Sequence, residues 1–422
     1  MRNAKPSVPN SAPALRQALD MALIVQKFGG TSVGTPQRIS LVADRIAKAH
    51  GKGNKLVVVV SAMGQTTDEL IELARKVSRA PSQREMDMLL SVGERISMSL
   101  LSMALMDRGV RAISFTGSQT GIVTNQSHSR ARIKHILGDR VRESLAKGMV
   151  AIVAGFQGVS EGKEITTLGR GGSDTTAVAL AAALRADLCE IFTDVDGIFS
   201  ADPCIVPSAR LLKKISHDVM VEMSIRGAGV LHPRSVELAK QYSVPLCVRS
   251  SLNEKEGTSV VAAKLNNDSK GMEDFRVTGV TSDKDKMLIS IELTRPTAMA
   301  AVWHKAAQVS LSVVAPFFSN GNVCFFGEKD VEVEWRKELD DLAVQGFVRK
   351  YQIFSKLVPL SVVGDRFSHD GLALYRVLDT LAAKQIPVTV GTASSLAITV
   401  AVSEDHAVDG VKALHEAFVD SS

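Results

Sequence analysis

The sequence predicts an α/β protein: a mostly parallel sheet covered by helices on both faces, followed by two smaller α+β lobes. Three observations carry this expectation. From residue 21 to about 262, short apolar segments alternate with stretches whose apolar residues recur every three or four positions. Around 252–274 the chain turns polar, ending in Asn266-Asn267-Asp268-Ser269-Lys270-Gly271, which is linker composition. Beyond it, the pattern strand–helix–strand–strand occurs twice.

The apolar segments at 22–27, 56–61, 111–115, 149–154, 189–193 and 244–249 read as strands. The stretches 36–50, 68–79 and 85–108 between them read as helices, as does 175–184. Such alternation builds a parallel sheet because each crossover helix returns the chain to the same edge. After the linker, one lobe is expected from strand 287–292, helix 298–308 and strands 311–315 and 322–326. A second is expected from strand 358–363, helix 371–384, strands 386–390 and 395–402, and helix 404–418. The expected organisation is an unstructured extension at 1–20, a catalytic domain at 21–262, a linker at 263–274, and lobes at 275–345 and 346–422. Residues 1–20 are proline-rich with no acid before Asp20, and Met21 is a natural start for the folded part. Met272 could likewise open a separate regulatory piece.

Composition narrows the function. The net charge of +5, from 50 basic and 45 acidic residues, is too small to argue for nucleic acid. Aromatics make up 5% and are not interleaved with basic runs, so no base-stacking surface is expected. No apolar run suggests a membrane span. The cysteines at 189, 204, 247 and 324 have neither disulfide nor metal-ligand spacing, as in a reducing cytoplasm.

Two glycine-rich loops carry the chemistry. KFGGTSV at 27–33 follows a strand directly, so Gly29, Gly30, Thr31 and Ser32 can present amides and hydroxyls to an anion beside the Lys27 charge. Its spacing fits neither the Walker loop nor the dinucleotide fingerprint. TTLGRGGSD at 166–174 lies about 140 residues later and adds Arg170, whose planar fork matches a carboxylate. It also adds Ser173 and Asp174 at a helix start, where Asp174 is either a metal-holding or lysine-orienting carboxylate or an ordinary helix cap. Two such loops imply phosphoryl transfer. Ser61 and Thr67 sit in a hydroxyl-rich turn after strand 56–60. Glu94 lies in an apolar helix; taken singly it reads as exposed, and in company with Arg170 as a partner for an ammonium. Thr193 and Asp194 close strand 189–193 and, with Phe199, form either a nucleotide edge or a plain turn.

Together these segments resemble the aspartate kinases of the amino-acid kinase superfamily. The resemblance runs from about residue 22 to the C-terminus and rests on KFGGTSV at 27–33, SAMGQTT at 61–67 and VGER at 92–95. It extends through TTLGRGGSDTTA at 166–177, TDVDGIFSADP at 193–203 and VLHPRSVELA at 230–239. It implies a three-layer, carbamate-kinase-like catalytic domain and two ferredoxin-like ACT domains. It also implies ATP and Mg²⁺ as cofactors, with 4-phospho-L-aspartate as product. Arg170 would hold the α-carboxylate of L-aspartate, Glu94 its ammonium, and Ser61, Thr67 and Ser173 the rest. Lys27 and Asp174 would order the transferring phosphoryl group, while Gly29 to Ser32, Thr193, Asp194, Phe199 and Asp202 would line the nucleotide.

Two positions depart from the family pattern on the nucleotide side: Cys204 stands for an arginine and Gly229 for a lysine. Weak ATP binding follows, unless Arg226 compensates, and a weakened paralogue serving as an amino-acid-binding subunit is the alternative function. The ACT resemblance implies a homo-oligomer and a lysine or threonine effector. Asn320 and Gly321 are the candidate effector residues, though Leu293-Thr294-Arg295-Pro296-Thr297 replaces the usual turn.

Overall fold

The computed structural model describes residues 22–262, 275–308, 311–319, 321–367 and 371–420. The 1–20 extension, the 263–274 linker with Met272, and Asn320 lie outside the described residues. The chain divides into two compact units, Met1–Asp196 with Glu237–Val260, and Gly197–Val236 with Val261–Ser422.

In the first unit, the sheet strands run in the order Thr258–Val261, Leu246–Ser250, Leu188–Thr193, Leu23–Phe28, Lys55–Val60, Val150–Ala154, Ala112–Phe115. All neighbours are parallel except the pair Leu246–Ser250 and Thr258–Val261. The central strands are apolar throughout because helices cover both faces; Val57, Val58, Val59 and Val60 are all fully buried. Strand Leu23–Phe28 has its successor Lys55–Val60 on one side and the much later Leu188–Thr193 on the other. Its carboxyl end is therefore a topological switch point, where open α/β sheets bind ligands.

A second, four-stranded sheet (Ile133–Ile136, Ile122–Thr124, Gln157–Ser160, Ile165–Thr167) was not expected. Its strands are only three or four residues long and too polar to show a period. The helix expected over 85–108 is two helices, Gln83–Leu90 and Val92–Met106, meeting at Ser91. Contrary to the sequence expectation, Gln83–Met106 is long and apolar enough for a membrane span. Half of it is buried, with Met98, Leu101 and Leu105 in the core beneath the sheet, as suits the inner helix of a globular domain.

In the second unit, the lobes do not follow the expected blocks 275–345 and 346–422. One antiparallel sheet runs Arg276–Ser282, Leu357–Asp365, Ala397–Ser403, Val390–Ala393, and the other Val314–Ser319, Asn322–Glu328, Lys286–Leu293, Val348–Phe354. Arg276–Ser282 thus completes the later lobe's sheet and Val348–Phe354 the earlier one's, so the lobes exchange a strand each. Neither exchanged strand was anticipated, nor was the helix Glu332–Val344, which buries only Trp335, Glu338, Leu339 and Leu342 among its charges. The two-sheet α+β architecture itself is as expected. Residues 197–236 group with the C-terminal lobes by contact. Ala201 and Val206 are part of the later lobe's core, packed with Val280, Leu360, Leu414 and Phe418.

Candidate active site

The site begins at the carboxyl end of Leu23–Phe28. After Phe28 the chain makes a single 3-10 turn, Gly30–Val33, whose flanking Gly29 is extended and donates its N–H to the Phe192 carbonyl at 3.2 Å. The first N–H groups of such a turn have no acceptor within it, which leaves the Gly30 and Thr31 amides for an anion. No side chain fits at Gly30, where a Cβ would stand 2.9 Å from the Ala62 carbonyl oxygen. Thr31 is exposed; Ser32 is buried and bonded at 2.9 Å to Ser251 Oγ, so Ser32 is anchored to its own unit.

Lys27 Nζ lies 2.6 Å from Asp174 Oδ1, with both side chains about nine-tenths buried. The helix carrying Asp174 begins at Gly172, three residues earlier than expected, because Gly171 adopts a left-handed conformation at φ 66° and ends the loop. Asp174 therefore sits in the first helical turn, and no side chain caps this helix. The helix-cap reading of Asp174 therefore fails, and the lysine-orienting and metal-holding readings stand. Ser173 is buried beside it against Gly155, where a Cβ would come within 2.7 Å of Ser173 Oγ. Arg170, on the same loop, is exposed.

Ser61, Thr67 and Glu94 lie at or against the turn after Lys55–Val60. Glu94 is 3% exposed, which overturns the expectation from the residue alone. Its Oε1 accepts the Ala62 N–H at 3.1 Å, while Oε2 has no partner. Burial pushes its carboxyl up to about 7, partly offset by the Ala62 hydrogen bond. A buried acid with one bare oxygen is suited to an incoming cation. Ser61 and Thr67 flank this turn and are half-buried, and the Ser61 carbonyl accepts from Ser97 Oγ at 2.7 Å. The close approach needs Gly93, since a Cβ there would lie 2.7 Å from Ala62 Cβ.

One residue of consequence was missed. Asp87 is fully buried and accepts from His128 Nδ1 at 2.7 Å, from the Ser129 N–H at 3.0 Å, and from Thr167 Oγ1. It fixes the strand leading into the Gly169–Gly172 loop that bears Arg170. A lone carboxylate in the apolar run Met86–Leu90 was the available signal, the same one that marked Glu94.

Residues 22–250 match the amino acid kinase family. An aspartokinase of Geobacillus stearothermophilus is 46% identical over 405 residues, covering 94% of this chain and 97% of that one. The chain belongs to the aspartokinases. The fold agrees: E. coli aspartokinase III in complex with aspartate and ADP (R-state) superposes with a TM-score of 0.82 at 24% identity, over 94% of this chain and 99% of that one. The same enzyme in complex with lysine and aspartate (T-state) gives 0.70 at 24% identity, over 94% and 99%.

Of the expected nucleotide residues, Thr193 and Asp194 end a strand of the first unit, and Thr193 Oγ1 donates to Asp194 at 3.1 Å. Phe199 and Asp202 belong to the second unit. Asp202 Oδ1 accepts the Cys204 N–H at 2.8 Å, closing its own turn. Arg226 is engaged by neighbours of its own unit. Its side chain is 9% exposed and is held by Glu222 at 2.7 Å and by Thr399 Oγ1 within the second unit. Among the described residues no three His, Cys, Asp or Glu side chains converge as a metal cluster.

Proposed function

We propose that this aspartokinase transfers the γ-phosphoryl group of ATP to the β-carboxylate of L-aspartate, with the residue roles derived below. The single observation that carries the reading is the buried Lys27–Asp174 pair at the switch point of the sheet, beside a 3-10 turn with open amides. The attacking carboxylate of the substrate is ionised at neutral pH, with a pKa of about 3.9, so no general base is required. Catalysis then consists of alignment and charge neutralisation.

Asp174 holds the Lys27 ammonium at the end of its strand, and the Gly30 and Thr31 amides add donors from the adjacent turn. Glu94 Oε2 takes the substrate ammonium, an arrangement that draws its carboxyl back to the ionised form. Arg170 takes the α-carboxylate, with Ser61, Thr67 and Ser173 completing the pocket. Mg²⁺ bound to the phosphates would supply further charge neutralisation, and Asp174 would be the carboxylate to hold it. Gly29 to Ser32, Thr193 and Asp194 line the nucleotide on the first unit.

An aspartyl-hydroxamate assay with ATP and Mg²⁺ tests this reading; hydroxamate formed at a rate that Lys27→Ala abolishes is the expected result, and no product from purified wild-type protein overturns it. Such a failure with aspartate still bound would favour the alternative of an amino-acid-binding subunit. Because Cys204 and Gly229 replace cations, Gly229→Lys should lower KM for ATP. An added Cβ there meets nothing within 4 Å, so the lysine fits, and an unchanged KM would remove the premise. Running the assay with lysine and with threonine tests feedback, which the lysine complex of E. coli aspartokinase III supports. We place the enzyme in the cytoplasm, consistent with its unpaired cysteines, as a homo-oligomer joined through the C-terminal lobes.

A further inference from the structure

A buried carboxylate that no step of phosphoryl transfer uses ties together the segments that carry Glu94 and Arg170, all within the first unit. Asp87 lies in the helix Gln83–Leu90 and is fully buried, where an ionised group is costly unless donors surround it. Three do. His128 Nδ1–H donates to Oδ2 at 2.7 Å, the Ser129 N–H reaches Oδ1 at 3.0 Å, and Thr167 Oγ1–H also donates to Oδ1. A contact that only filled space could be made there by an uncharged side chain at lower cost.

The donors come from two segments pressed against each other beside Arg170. Ser129 is left-handed at φ 65°, a conformation that few residues other than glycine adopt, and its amide is held by the carboxylate. The Ala131 N–H donates to the Thr167 carbonyl at 2.9 Å, and a Cβ at Gly169 would stand 3.0 Å from the Ser129 carbonyl oxygen. Residues 129–131 therefore lie directly against the strand Ile165–Thr167 and the turn after it, and Arg170 follows three residues beyond Thr167. The same strand is fixed to the Glu94 side a second time. Gln157 pairs with Thr167 across the sheet, and its buried Nε2 donates to the Ser91 carbonyl at 2.8 Å. Ser91 is where the helix Gln83–Leu90 meets Val92–Met106, three residues before Glu94. Two bonds about one helical turn apart, at 87 and 91, thus clamp the strand leading to Arg170 onto the helices leading to Glu94.

We propose that Asp87 is a positioning residue for aspartate: with Thr167 and His128 it sets the spacing between Glu94 and Arg170, and so the affinity for the substrate's ammonium and α-carboxylate but not for ATP. The proposal rests on the reading that Arg170 takes that carboxylate. Thr167→Val keeps the side-chain volume and leaves Asp87 two donors, so it tests the clamp even if Asp87→Asn prevents folding. Michaelis constants for both substrates are measured in the full-length enzyme carrying Thr167→Val, Arg170→Lys or both. Thr167→Val alone is expected to raise KM for aspartate about 5-fold, the worth of roughly one hydrogen bond, with KM for ATP unchanged. Beside Arg170→Lys, which removes the planar fork, it is expected to raise KM no further, because a residue acting through that fork has nothing left to place. A lower melting temperature with both constants unchanged overturns the proposal. So does a parallel rise in both, or a rise that persists in full beside Arg170→Lys. If Arg170→Lys itself leaves KM for aspartate unchanged, the assignment of Arg170 has failed instead.

Discussion

At the scale of single residues, the site depends on charges held where water is scarce. Lys27 is buried and paired, so its ammonium is fixed before substrate arrives. Losing a preorganised donor of this kind typically costs about 10²–10³ in kcat. Lys27→Ala is expected to show that loss with little change in KM for aspartate, as steady-state kinetics will reveal. Glu94 makes a pH-dependent prediction. Its carboxyl, raised to about 7 by burial, is substantially protonated in the free enzyme at neutral pH. Only the ionised form attracts an ammonium, so KM for aspartate should fall as pH rises through about 7, and Glu94→Gln should flatten that profile. Stability moves the opposite way. The folded state holds this proton more tightly than the unfolded chain, so the contribution is full below about 4.5 and is lost as pH rises through about 7. Melting curves of Glu94→Gln across that window should lack the decline.

At the scale of elements, the glycines decide how closely turns approach. In the Val92–Met106 helix, alanine at position 93 would ordinarily be favoured over glycine by about 1 kcal/mol. Here the added methyl meets Ala62 Cβ at 2.7 Å, so the helix must move away from the turn that Glu94 holds. Overpacking of this sort costs about 1–3 kcal/mol. Gly93→Ala should therefore lower the melting temperature and raise KM for aspartate; a more stable variant with wild-type KM would refute this account. The helix start at Gly172 shows the limit of reading elements locally. Ala-rich composition marks the helix, but the left-handed Gly171 sets where it begins and hence where Asp174 points.

At the scale of the whole molecule, residues 197–236 share a core with the C-terminal lobe. Ala201 and Val206 are covered by residues beyond 275, among them Val280, Leu360 and Phe418. Truncation after residue 262 should therefore expose this apolar face, with partly buried Ile205 and Ala209 beside it. Such a fragment is expected to bind a hydrophobic dye and to lack kinase activity. A soluble, active fragment would show instead that the segment folds without its cover.

The loops at 27–33 and 166–174 and most of the parallel strands were legible in the sequence. Each is written within about ten consecutive residues: a strand's apolar run, the glycines that end it, and the charges that follow. The pairing of Lys27 with Asp174 was one of three readings the sequence left open, and the burial of Glu94 and the contacts of Asp87 were not legible, because each depends on which distant segment packs against the side chain. The strand exchange between the lobes belongs to the same class. Val348–Phe354 opens on two adjacent charges, Arg349 and Lys350, and has a recognisable face only once Lys286–Leu293 lies beside it. Sequence by itself determined the family and the α/β-plus-lobes architecture. Tertiary structure decided the partners, since burial and register are properties of segments brought together, and neither segment specifies them alone.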